Sequence, residues 1–269
     1  EPVYLLKGGN VMQRGDPVEP ASLSALPGFS LPLDAPEAER RLALAKWIAS
    51  DANPLTPRVM ANRLWHYHFG TGLVATPSDF GFNGERPSHP ELLDYLAQRL
   101  IHYGWRLKPL HRGILLSRAY RQSSGWNDAA GKADASARLL WRFPPQRLQA
   151  EAIRDNMLAV AGVLNPAIGG PSFSLYKYTV DNVATYFPLD HFGPETYRRA
   201  VYAQSARSIR TELLSVHDCP DSSLPEPRRV VTTSPLQALS LLNNSFTTDM
   251  AAAFARRIAA HPDPVRHAF

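Results

Sequence analysis

Leu148-Gln149-Ala150-Glu151-Ala152-Ile153-Arg154-Asp155-Asn156-Met157-Leu158-Ala159-Val160-Ala161-Gly162-Val163-Leu164 carries the clearest periodicity in the chain. Ile153, Met157, Val160, Ala161 and Leu164 recur at the spacing that lays side chains along one face of an α-helix. A helix over 148–164 with that face inward is the expectation. It ends at Asn165-Pro166 and Gly169-Gly170-Pro171, which break helices.

Working upstream, further helical stretches follow one another. Asp34-Ala35-Pro36-Glu37 has capping-box spacing before Leu42, Ala45 and Ile48. Thr56-Pro57 is expected to open a helix that stops before Gly70. Ser88-His89-Pro90-Glu91 is a second candidate box before a stripe of Leu92, Leu93, Leu96 and Leu100. A helix over about 108–118 points Leu110, Ile114 and Leu115 inward. Downstream, Phe173, Leu175, Tyr176, Tyr178 and Val180 alternate as short strands do, and 181–197 and 215–230 read mostly as loop. Ser234-Pro235-Leu236-Gln237 caps a last helical region with Leu239, Leu242 and Phe246 on one side.

Helices outnumber strands and no βαβ alternation occurs, which argues against Rossmann and TIM architectures. The expected fold class is mainly α: a multi-helix globular domain with a small irregular or β insertion. Its parts are an extended N-terminal segment (1–33), a helical core (34–164), a loop and short-strand insertion (165–230) and C-terminal helices (231–260), all one domain over 1–269.

Composition bounds the function. The 269 residues are 44% hydrophobic and 20% charged, with 24 Pro and a net charge of +5. These values suit a globular protein, and no apolar run reaches the ~18 residues of a membrane span. Arg outnumbers Lys 24 to 5. The basic residues are spread along the chain rather than gathered on one segment, which argues against nucleic acid as partner. Cys219 stands alone, so neither a disulfide, a Cys-based metal cluster nor a C-x-x-C-H haem attachment can form within the chain. His66 and His68 are two apart, not four, and no helical zinc pair exists; no bound metal is expected. The chain lacks an initiating Met and a signal-like start, and reads as a piece of a longer polypeptide or a processed product.

Two constellations merit weighing. Glu151 and Asp155 share a helix face, as two carboxylates set for glycosidase chemistry could. Arg147 and Arg154 stand at ion-pair spacing from them, so a structural network of Arg147, Glu151, Arg154 and Asp155 is the favoured expectation. The loop 78–89 is dense in polar groups beyond those that cap helices. Asp79, Asn83, Glu85, Arg86 and His89, interleaved with Phe80 and Phe82, are candidate binding residues. They are expected to meet Arg228 and Arg229, or the Gly8-Gly9 turn, in a cleft. No nucleophile elbow, P-loop or dinucleotide fingerprint is present.

Several stretches, in order, resemble one family. They are Leu6–Asn10 with Arg14–Pro17, Arg41–Ile48, Asn62–Trp65 with Phe69-Gly70, and Thr76–Gly81 with His89–Leu93. They continue through Tyr120–Ser123, Leu140–Pro144, Glu151–Asp155, Gly169–Pro171 and Thr233–Leu239. The chain resembles the planctomycete-type domain of unknown function 1553. The resemblance implies an extracytoplasmic location, in the periplasm or at the cell surface. It also implies a place at the C-terminal end of a larger protein, beside a cytochrome c-like domain and in the setting of polysaccharide utilisation. Haem c would belong to an upstream or partner chain, with no cofactor in this one. The favoured function is a non-enzymatic module serving assembly, partner or glycan contact. The alternative is a glycan-directed hydrolase drawing a carboxylate pair from Asp79, Glu85, Glu151 and Asp155.

Overall fold

The computed structural model describes residues 3–26, 28–209 and 211–268. Its architecture is mainly α, with eleven α-helices and two small two-stranded sheets among the described residues. The chain packs as two compact units, Glu1–Gln146 and Arg147–Phe269.

The first unit opens with an antiparallel hairpin, β1 (Val3–Leu6) and β2 (Arg14–Val18), in which Val3 faces Val18 and Leu6 faces Arg14. Six helices follow: α1 (Glu37–Ile48), α2 (Leu55–Phe69), α3 (Pro90–His102), α4 (Leu107–Leu115), α5 (Arg118–Arg121) and α6 (Asp128–Ala133). The core lies where α2 packs on α3 and α4. Leu64, Trp65 and Phe69 meet Leu93, Leu96 and Leu100 there, with Leu110 and Ile114 closing it. Leu115, expected inward, is partly exposed because α4 ends at that residue. On α1 no residue is buried, and Leu42, Leu44 and Ile48 are exposed.

Three helix starts differ from expectation. Asp34 makes no side-chain cap for α1, whose N-cap is Pro36. At α2 the cap is supplied by Asn53, whose Oδ1 accepts from Leu55 N–H at 2.9 Å and Thr56 N–H at 3.3 Å. Ser88 does not cap α3 either, since its backbone N–H donates to Leu73 O at 2.8 Å and its hydroxyl to the same carbonyl. At α2 a neighbouring residue takes the capping role, and at α3 a tertiary partner takes the Ser88 hydrogen bonds.

The stop of α2 follows local chemistry. Gly70 adopts φ +77°, where a side chain would be strained, and its N–H returns to His66 O. The chain then folds back onto α2. Asn62, fully buried, donates from Nδ2 to Val74 O and accepts from Val74 N–H, both at 2.9 Å. One side-chain amide thereby does the work of a strand neighbour. A Cβ on Gly72 would lie 2.7 Å from the Asn62 amide, so this approach requires glycine.

The second unit holds α7 (Ala150–Ala161), a hairpin of β3 (Tyr176–Val180) and β4 (Ala184–Pro188), then α8 (Glu212–Val216), α9 (Pro235–Asn243), α10 (Ser245–Ile258) and α11 (Pro264–Ala268). Tyr176 faces Pro188 and Val180 faces Ala184 across the hairpin, which places a strand within the 181–197 stretch read as loop. The core joins Leu158 and Ala161 of α7 to Leu213, Phe246 and Met250. The buried face of α7 is therefore Ala150, Arg154, Leu158 and Ala161, rotated from the expected stripe, and Val160 is exposed. α9 carries the complete Ser234–Gln237 capping box. Its Leu239 and Leu242, expected on the inner side with Phe246, face solvent. A break at Asn244 separates α9 from α10 and turns the following face inward.

Candidate functional site

In the first unit, the polar loop is held mainly by its own backbone. Thr76 Oγ1 donates to Asp79 O at 2.8 Å and accepts from Glu85 N–H at 3.0 Å, closing the loop into a ring. Asp79 Oδ1 accepts from Gly81 N–H at 2.8 Å. Glu85 lies 3.7 Å from Arg138, an exposed pair of small energetic weight. His89 Nδ1 contacts Ser88 Oγ at 3.0 Å, and Asn83 and Arg86 are exposed. Phe80 packs against the core of the unit, whereas Phe82 is fully exposed. Arg228 and Arg229 belong to the second unit, where Arg228 is exposed and Arg229 is engaged by Glu151.

In the second unit, α7 gathers the charged groups. Glu151 receives a two-pronged bond from Arg229, with Nη1 at 2.6 Å from Oε2 and Nη2 at 2.8 Å from Oε1. The Cys219 thiol donates to Oε1 at 3.7 Å. Burial raises the Glu151 carboxyl, but the Arg229 bond and charge outweigh it, and its pKa is held below the ordinary value. Burial, and then the charge of Glu151, push the Cys219 thiol up to about 11. The thiol is thus protonated at neutral pH, and as a nucleophile it is inert.

Arg147 lies before the first turn of α7 and does not reach Glu151 along a helix face. It pairs with Asp218 at 3.2 Å and donates to Gln237 Oε1 at 3.2 Å and to Thr232 O. Asp218, at φ +64°, accepts from both the N–H and the hydroxyl of Thr232 at 2.8 Å. Burial raises its carboxyl, and the Thr232 bonds with Arg147 hold it below the usual range.

Arg154 is the largest fully buried side chain of the described residues. Its guanidinium donates to Arg198 O at 2.9 Å and to Thr196 O, and lies over the rings of Phe173 at 5.3 Å and Phe246 at 5.0 Å. Burial pulls its pKa down to about 10 while Asp155 opposes this. Asp155 is 3.8 Å from Arg154 and 3.4 Å from Arg199, and accepts from Ala200 N–H at 2.7 Å. The four residues read as one network are all paired, but their main partners come from distant segments. The expected ladder along one helix face does not form.

Two adjoining hollows, open to solvent, lie against these groups. One includes Arg154 and Phe246 in its wall, and the other includes Glu151 and Cys219. Leu175, Tyr176 and Leu214 line both. Burial, and then the neighbouring Tyr186, raise the pKa of the Tyr176 phenol, and the Ala206 backbone lowers it. Among the described residues, no three or more His, Cys, Asp or Glu side chains are gathered as a metal ion would need.

A family model described as protein of unknown function (DUF1553) matches residues 40–269. The chain belongs to this family. No curated protein and no solved structure matches it significantly. Within this DUF1553 chain, the groups that sequence reading passed over are Asp218, Thr232, Gln237 and Tyr176. Gln237 carried a signal only in its capping-box position; in the structure it is buried and finds further partners. It donates to Val216 O at 3.1 Å and to Thr232 Oγ1 at 3.0 Å. Asp218 and Tyr176 had none, since their roles depend on segments far away in sequence.

Proposed function

We propose that this chain is a non-catalytic assembly module of a larger, extracytoplasmic, haem-associated protein, contacting other domains or chains of that protein, or glycan. The observation that carries the reading is α9, which is amphipathic in the wrong sense for a free surface. Its buried residues are Gln237 and Ser240, while Leu236, Leu239 and Leu242 face solvent, Leu242 at 75% exposure. Beside it runs an open apolar groove lined by Ile153, Met157, Ala238 and Leu241. Leucines clustered on one exposed helix face mark a surface made for a partner. The extracytoplasmic and haem-associated setting rests on the resemblance to the planctomycete-type domain.

The residues present do not fit a haem c of their own. A single cysteine, Cys219, cannot make the two thioether bonds, so a haem belongs to another segment or chain. The hydrolase reading finds little support. Glu151 is held ionised by Arg229, whereas a general acid needs a raised pKa.

The test is a Leu239→Glu, Leu242→Glu double variant of the full-length protein, compared by limited proteolysis and by binding of the separately produced cytochrome c-like region. Exposed side chains should tolerate the change without loss of melting temperature, while the contact weakens at least tenfold. Unchanged protection and binding would end the assembly reading.

A further inference from the structure

The β3–β4 hairpin carries an open edge. Lys177, Tyr178, Thr179 and Val180 are all exposed, in a sheet of two strands. The register fixes which backbone groups are free. Leu189 N–H donates to Leu175 O at 3.2 Å, and these two residues stand opposite each other in the register of the hairpin. Hydrogen-bonded pairs alternate along an antiparallel ladder, so Lys177 with Phe187 and Thr179 with Thr185 turn their N–H and C=O groups toward β4. Tyr176, Tyr178 and Val180 turn theirs outward. At Tyr176 the Ser174 hydroxyl takes both groups, donating to the carbonyl and accepting from the N–H. Among the described residues, nothing takes those of Tyr178 and Val180. The opposite edge, on β4, is blunted by Pro188, which has no N–H to offer.

An open edge accepts a further strand, and the side chains say which. A copy of β3, run antiparallel about a two-fold axis at Thr179, sets Tyr178 opposite the partner's Val180 and Val180 opposite the partner's Tyr178. Every free group of the edge is then bonded on both chains. An axis at Tyr178 or Val180 pairs only one of the two with a free residue, the other meeting Tyr176 or Asn182. The same register sets Lys177 opposite the partner's Asp181, twice, at non-hydrogen-bonded positions where side chains approach closest. Within one chain these two charges lie four residues apart along the strand, about 13 Å, too far to pair. Among the described residues neither has an ion-pair partner. We propose that β3 joins β3 of a second copy of this chain in a continuous four-stranded antiparallel sheet. The uncharged face of Tyr178, Val180, Ala184 and Tyr186 then runs on from one copy into the other. The contact is small and the dimer correspondingly weak. It shares no residue with the α9 leucine face, so each reading fails separately.

Sedimentation velocity of the whole chain, from about 5 to 500 µM, should show a reversible monomer–dimer equilibrium, as suits a contact of this size. Val180→Pro removes an outward N–H and no bond to β4. It should keep the melting temperature and weaken the dimer about tenfold or more. Lys177→Asp and Asp181→Lys each set like charges opposite one another, and each should weaken self-association about five- to tenfold. Mixed in equal amounts, these two variants should associate with each other as the unaltered chain does with itself, and the double variant should dimerise again. A chain that stays monomeric throughout the range overturns the proposal. So does a dimer that survives Val180→Pro, a dimer lost with Leu239→Glu and Leu242→Glu, or charge variants whose mixture does not associate. Should Val180→Pro fail to fold, the charge exchange at the exposed side chains alone decides.

Discussion

Glu151 and Arg229, 78 residues apart in the chain, meet in a two-pronged ion pair with both contacts at or below 2.8 Å. The pair ties the first turn of α7 to the segment before α9. It also holds the carboxylate ionised, against the raised pKa that a general acid needs. Arg147 with Asp218 makes a second tie between the same regions. Each is two-thirds or more buried at the side chain, so each outweighs an exposed surface pair.

Removing either partner of the first tie should cost stability. Glu151→Ala and Arg229→Ala are each expected to lose about 1–3 kcal/mol, the range for a charge-assisted bond whose partner is left behind. A double-mutant cycle by urea denaturation should give a coupling of about 1 kcal/mol or more. Additive single effects would show that the fork contributes no net stability.

Acid should act through the same carboxylates. The pKa values of Glu151 and Asp218 are lowered in the folded chain. Their stabilisation is therefore complete above roughly pH 4.5, the upper end of the unfolded range, and is lost as pH falls through the folded values. Urea midpoints measured from pH 6 to pH 2.5 should drop steeply at the acid end. Glu151→Gln with Asp218→Asn should flatten that drop, and an unchanged slope would mean other carboxylates govern it.

Arg154 is expected to be the most sensitive position of the second unit. Arg154→Ala strands the carbonyls of Thr196 and Arg198 and empties the space between Phe173 and Phe246. A loss of about 3–5 kcal/mol follows, against less than about 0.5 kcal/mol for the exposed Arg228→Ala. Equal effects of the two would refute the buried placement.

Cys219 should be slow to react. With its pKa near 11, the thiolate fraction at pH 8 is on the order of 0.1%. Reaction with a disulfide reagent at pH 8 should accelerate about a hundredfold when the protein is unfolded in urea. Rapid labelling of the native chain would contradict the protonated, Glu151-bonded thiol.

The polar loop of the first unit should depend on one ring only. Phe80→Ala is expected to cost about 1–3 kcal/mol, because Phe80 packs on the core, whereas Phe82→Ala should change stability by less than about 0.5 kcal/mol. A destabilising Phe82→Ala would show that this ring is covered in solution.

Features set by neighbours in sequence were readable without a structure. The helix stop at Gly70, the Ser234–Gln237 box and the helical content all follow from backbone chemistry within about four residues. The α7 stripe shows where that reading ends. Its apolar spacing selected Ile153, Met157 and Val160, yet Arg154 lies on the buried face. Periodicity ranks side chains by their hydrophobicity alone. Burial of a guanidinium is decided by whether carbonyls and rings 19 to 92 residues away arrive to satisfy it, as Thr196, Arg198, Phe173 and Phe246 do. The outward leucines of α9 follow the same logic, since Gln237 finds Val216, Thr232 and Arg147 as hydrogen-bond partners and takes the inner face from them. Sequence alone determined the family, the helical class and the punctuation of the chain. Only the tertiary structure decided which face of each helix is inside, because desolvating a polar group is favourable only when its distant partners are in place.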